Sequence, residues 1–125
     1  MDKQTRLSAY VYEVIQAVKE NIDQKPFEKK NIVDFSNDTG IGRNLLQKGF
    51  KIIYGSRVKE YQKKKRLEVA ANLLDEDRLT IQQIASKCDY HSQSNFTRAS
   101  KEIYGLTPTE WKNRSLFPSN ISVTL

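Results

Sequence analysis

Two sets of side chains in this sequence carry groups that suit the edges of nucleic-acid bases. One is Arg43, Asn44, Gln47, Lys48 and Lys51; the other is Ser92, Gln93, Ser94, Asn95, Thr97, Arg98 and Lys101. Guanidinium and ammonium groups pair with guanine O6 and N7, and carboxamides with adenine N6 and N7. Steps of three and four residues put the first set along one side of a helix, and the second set makes up the polar side of another. Such a face is expected where a helix enters a DNA groove. The same pattern also fits an ordinary solvated helix surface, so the elements that carry it matter.

The second set lies in the stretch 80–105, which reads as a short helix, a turn and a longer helix. Thr80 with Gln83 has the form of a capping box, which satisfies the first backbone N–H groups of a helix. Ile81, Ile84, Ala85 and Cys88 then make one apolar face. Asp89 suits the turn, because it tolerates left-handed backbone. Ser92 can cap the next helix, whose buried side would carry Phe96, Ala99 and Ile103.

The pattern occurs twice. A shift of fifty residues sets Leu46 on Phe96, Lys48 on Arg98, Lys51 on Lys101, and Ile53-Tyr54-Gly55 on Ile103-Tyr104-Gly105. Glu60 and Tyr61 fall on Glu110 and Trp111. Upstream, Phe35-Ser36 and a turn at Gly40 match Ile84-Ala85 and Asp89 with a shift of forty-nine, the slip falling in the turn. Two helix-turn-helix units in tandem are therefore expected.

On these residues the sequence resembles the DNA-binding domain of the bacterial AraC/XylS transcription regulators, over about residues 31–113. The motifs that carry the resemblance are Arg66-Leu67, Ala70, Leu73-Leu74, Ile81, Ile84-Ala85, Phe96, Arg98, Lys101, Gly105, Thr107-Pro108 and Trp111. The chain departs from the pattern at Asp89-Tyr90, where the family has Gly-Phe, at Ser100, where it has Phe, and at Ser36, where it has Ala. The resemblance implies major-groove recognition by the second helix of each unit. It also implies recruitment of RNA polymerase.

Size and charge agree. A chain of 125 residues suits one compact domain or two small lobes sharing a long helix. Its net charge of +6 favours polyanionic partners. No apolar run approaches the roughly 18 residues of a membrane helix, and Met1 to Arg6 does not lead into a secretory h-region. One cysteine excludes an internal disulfide and fits a reducing cytoplasm.

In chain order, Leu7, Tyr10, Val11, Val14, Val18 and Ile22 predict a helix over 5–24 that covers the first repeat unit or offers a dimer surface. Asn31 with Asp34 caps the next helix, with Ile32, Val33 and Phe35 toward the core. Gly40 takes the turn and Gly42 starts the helix 43–54, whose apolar side is Leu46, Phe50 and Ile53. Gly49 inside it points to a close approach by another helix or by DNA backbone. A helix over 57–74 follows, with Val58, Tyr61, Leu67, Ala70, Ala71 and Leu74 inward. At 1.5 Å per residue it would span about 27 Å, against about 34 Å for one turn of duplex DNA. Such a spacer suits successive major grooves. Lys63-Lys64-Lys65-Arg66 is a solvated face, a phosphate contact or a source of general field. Asp75-Glu76-Asp77 reads as an acidic loop. Thr107-Pro108-Thr109-Glu110 is the clearest helix start, with Trp111 as core, and 115–125 reads as a flexible tail.

Enzyme chemistry is missing from the sequence. Gly40-x-Gly42 is a turn without the rest of a dinucleotide fingerprint. A metal site needs more than His91 and Cys88. Some proteins joining this kind of DNA-binding domain to alkyl-transfer repair use a cysteine as methyl acceptor, but Cys88 has no activating base nearby in sequence. His91 reads as an exposed turn residue or a backbone or phosphate contact.

The expected fold is all-α, about seven helices, with two tandem helix-turn-helix subdomains joined by a long linker helix. Its expected divisions are 1–56, 57–75, 76–114 and 115–125. The expected function is sequence-specific binding of double-stranded DNA, at an asymmetric site of about two helical turns, by a cytoplasmic, nucleoid-associated transcription regulator. RNA polymerase is the expected protein partner; no cofactor, metal, membrane or small-molecule site is expected. An RNA-binding module would show exposed aromatics for stacking, and a helical adaptor would show more apolar faces. The residues hold no separate sensor domain. Either the protein acts through its abundance, like short stand-alone members of the family, or the sequence is the DNA-binding part of a longer chain; Met1 favours the former.

Overall fold

The structure, a computed structural model, describes residues 7–114. It contains α1 (Ala9–Gln24), α2 (Ile32–Thr39), α3 (Arg43–Tyr54), α4 (Val58–Glu76), α5 (Ile81–Lys87), α6 (Gln93–Tyr104) and α7 (Pro108–Asn113). No strand occurs among the described residues. The chain divides into two compact units, residues 1–65 and 66–125, with the division inside α4. The tail expected over 115–125 lies outside the described residues.

In the first unit, α1 begins at Ala9 rather than at the expected Thr5. Ser8 Oγ accepts from the Val11 N–H at 3.1 Å and so sets the helix start there. α1 lays Ile15, Val18 and Ile22 against Phe35, Ile41, Leu46, Phe50 and Val58. α2 starts with a reciprocal Asn31–Asp34 capping box and ends at Gly40 with φ 75°. Val33 is 41% exposed, not in the core as expected. It sits two residues, about 200° around the helix, from the buried Phe35. Gly49 faces α1: a Cβ there would run into Ile15 Cδ1, which is the close helix approach the sequence suggested. From α4, Tyr61 donates to Asp23 Oδ1 at 2.5 Å, and Gln62 Nε2 donates to the Lys30 carbonyl at 2.6 Å.

Asp23 also receives Lys19 at 2.9 Å and Lys65 at 3.5 Å. Partial burial alone would raise the Asp23 carboxyl, but the Tyr61 hydroxyl and the two ammonium groups outweigh it and hold it below its usual 3.8.

The second unit is built from the end of α4 onward. Leu67, Ala70, Ala71 and Leu74 are buried, as are Ile84 and Ala85 of α5 and Phe96, Ala99 and Ser100 of α6. Thr80 and Gln83 form their capping box, and Asp89 takes the turn with φ 67°. Ser100 Oγ, in the place where a phenylalanine would stand, donates to the Leu106 carbonyl at 2.6 Å and so satisfies a buried hydroxyl. Ile103, expected inside, is 39% exposed. Asp75 and Glu76 are not loop residues: they complete the last turn of α4. Asp75 Oδ1 accepts from Trp111 Nε1 at 3.0 Å and from Arg114 at 3.1 Å, while the Arg114 guanidinium stacks 4.0 Å from the Trp111 ring centre.

Asp75 therefore does for α7 what Asp23 does for α4. Each unit has a leading helix whose last turn supplies a carboxylate to an aromatic donor on the trailing helix, Tyr61 or Trp111. The central helix α4 serves both units, trailing in the first and leading in the second.

Candidate nucleic-acid interface

α3 is held by its buried Leu46 and Phe50 and ends at Gly55, whose φ of 82° only glycine adopts without strain. With that side fixed, Arg43, Asn44, Lys48 and Lys51 are left exposed. Gln47 is half-buried at the inner edge of this face. Its Oε1 is enclosed and has no hydrogen-bond partner among the described residues. An open groove of about 350 Å³ is lined by Asn44, Gln47, Lys48, Lys51 and Arg57.

α6 is arranged in the same way. Phe96, Ala99 and Ser100 hold it, and Gly105 ends it with φ 73°. Gln93, Ser94, Asn95, Arg98 and Lys101 are exposed, and Thr97 is half-buried. A groove of about 590 Å³ is lined by Gln93, Ser94, Thr97, Arg98, Lys101, Glu102 and Thr107. Arg98 reaches Asn95 Oδ1 only at 3.5 Å, a weak contact that leaves its donors available.

Nine of the twelve candidate residues thus gather in two grooves, one per unit. Arg43 and Asn95 are exposed but flank their grooves. Ser92 works as the α6 cap, its Oγ accepting from the Asn95 N–H at 3.1 Å. Sequence reasoning missed Arg57, Glu102 and Thr107. The fifty-residue shift could have found the pair Arg57 and Thr107, each two residues past the glycine that ends its helix.

Charge differs between the grooves. The first has three cations and no carboxylate among its lining residues. In the second, Glu102 joins the lining, and Lys101 lies 3.7 Å from Glu110. The Thr107 backbone N–H, then Lys101, hold the Glu110 carboxyl below its usual 4.5.

Two residues with chemical potential serve packing instead. Cys88 is 1% exposed, and burial pushes its thiol up to about 11, so it is core rather than an activated acceptor. Lys65, in the basic run, is turned onto Asp23. Among the described residues no helix is long and apolar enough to cross a membrane, and no His, Cys, Asp and Glu cluster could hold a metal.

Paired helix-turn-helix units, each with a polar, cationic face on its second helix, define a tandem helix-turn-helix protein. The helix-turn-helix domain family matches residues 35–114, which takes in both units. Over 102 residues the chain is 37% identical to the F1 operon positive regulatory protein of Yersinia pestis, covering 82% of this chain and 33% of that one. It therefore spans about a third of that relative's length. Over 102 residues it is 28% identical to the regulatory protein SoxS of Salmonella typhimurium, covering 82% of this chain and 95% of SoxS. Among solved structures, the C-terminal domain of AraT, a response regulator from Geobacillus stearothermophilus, superposes with a TM-score of 0.66. That match has 25% identity and covers 87% of this chain and 88% of that domain. The chain belongs to the AraC-type helix-turn-helix family of transcription regulators.

Proposed function

We propose that this chain binds double-stranded DNA sequence-specifically, with α3 and α6 each entering a major groove, in successive turns of one duplex. The observation that carries this reading is the recurrence of the same groove at the same place in both units. Asn44, Gln47, Lys48 and Lys51 correspond, fifty residues on, to Ser94, Thr97, Arg98 and Lys101. Both sets present donors and acceptors of the kind that read base edges. In this reading the protein works at the nucleoid in the cytoplasm and contacts RNA polymerase once bound. A relative named as a positive regulator supports that last step.

Selection of bound sequences from a random duplex pool tests it. A pool that converges on a motif with two separated half-sites is the expected result. A pool that stays random through successive rounds while retaining affinity would reduce the protein to a non-specific polyanion binder. Arg98→Ala should then lose about 1–3 kcal/mol on the selected duplex and flatten preference at one or two base pairs.

A further inference from the structure

The two grooves occupy equivalent places in their units, so their difference in chemistry can be read residue by residue. Lys48 stands where Arg98 does, and Lys51 where Lys101 does; the charge changes at the fifth position, where Arg57 stands opposite Thr107. Thr107 uses its hydroxyl locally: Oγ1 accepts from the Glu110 N–H at 3.1 Å to start α7. The Arg57 guanidinium carries donors only and cannot accept from a helix N–H in this way. The Arg57 backbone N–H donates to Glu60 Oε1 at 3.1 Å, as the Thr107 N–H does to Glu110 Oε1 at 2.9 Å, so the two positions differ in the side chain alone. Arginine is a poor residue for starting a helix, and a cation there opposes the positive end of the helix dipole. The residue breaks a local rule without a return inside the fold, since its side chain is exposed on the groove.

We infer that Arg57, with Lys51, grips a backbone phosphate of duplex DNA in the first unit, and that the second unit has no equivalent grip. The inference rests on the duplex-DNA reading above and adds a division of labour to it. The first groove joins three cations and no carboxylate. In the second, Glu102 enters the lining and Glu110 draws off Lys101. Sequence-independent, salt-sensitive affinity therefore comes mainly from the first unit.

The test is a salt titration with two probes, the selected duplex and a scrambled duplex of equal length. Arg57→Ala should weaken both by the same factor. It should also lower the slope of log affinity against log salt by about 0.9, which makes binding about 3- to 4-fold less sensitive between about 50 and 200 mM. Arg57→Lys should keep the slope. Lys101→Ala should lower it by less than Arg57→Ala does. Circular dichroism melts of each variant show whether the fold is intact, as expected for exposed positions. An unchanged slope in Arg57→Ala overturns the phosphate grip. So does a loss confined to the selected duplex, which would make Arg57 a base reader. Equal slopes for Arg57→Ala and Lys101→Ala overturn the division of labour. If wild-type protein fails to prefer the selected duplex, the specific-recognition reading falls, a readout separate from any slope.

Discussion

Under the proposed reading, Gln47 would serve recognition at the expense of the fold. Its Oε1 is enclosed without a partner among the described residues, and an orphaned buried acceptor costs about 1–3 kcal/mol. Rotation of the carboxamide out of the half-buried pocket, onto a base edge, would relieve that cost at the moment of binding. Leucine is of similar bulk and has no polar atom to orphan. Gln47→Leu is thus expected to leave thermal stability unchanged or raise it by about 1 kcal/mol. The same variant should lose about 1–3 kcal/mol of discrimination at the bases it reads. Melting curves and paired titrations on selected and scrambled duplexes measure both. A destabilised Gln47→Leu that kept full discrimination would return Gln47 to the packing of α3.

At the scale of elements, the approach of α1 to α3 is set by Gly49 against Ile15. Alanine would regain roughly 1 kcal/mol of helix propensity. Its Cβ, however, would overlap Ile15 Cδ1, the end of a fully buried side chain that would have to shift within the core. Overpacking of this kind costs about 1–3 kcal/mol, so Gly49→Ala should be net destabilising by about 1 kcal/mol. Combining it with Ile15→Val removes the obstructing methyl, and the double variant should be more stable than the sum of the two single losses by about 1 kcal/mol. Denaturant melts of the four proteins close the cycle. A Gly49→Ala variant more stable than wild type would mean that the helices have room to spare. The glycine itself was legible in the sequence, as were the caps at Asn31, Thr80, Ser92 and Thr107, because capping is decided within four residues. The sharing of α4 by both units was legible too, from its inward Val58, Leu67, Ala70, Ala71 and Leu74. The polar pairings at its two ends were not, because the carboxylates of Asp23 and Asp75 find partners 38 and 36 residues away. Such pairings follow no period. Asp75 consequently read as loop, and Ile103 as core because its spacing fits a buried stripe that here stops at Ser100.

For the whole molecule, the consequence of the repeat lies in what one chain can recognise. Helix-turn-helix proteins with one reading helix per chain dimerise about a two-fold axis and so read palindromes. Here α3 and α6 are on the same chain, in fixed order, with α4 running unbroken for 19 residues from one unit into the other. Their faces also differ in kind, Asn44, Gln47 and Lys48 against Ser94, Thr97 and Arg98. One chain should therefore occupy one duplex at a non-palindromic site of about 20 bp, two half-sites in successive turns. Titrating a known concentration of active protein into labelled duplex well above the dissociation constant gives the ratio directly, with one chain per duplex expected. Exchanging the two half-sites in the duplex keeps every base pair but reverses their order, and should cost as much affinity as scrambling one of them. Two chains per duplex on a palindrome, or indifference to the exchange, would mean that the units do not read together. Each would then be acting as half of a conventional dimer.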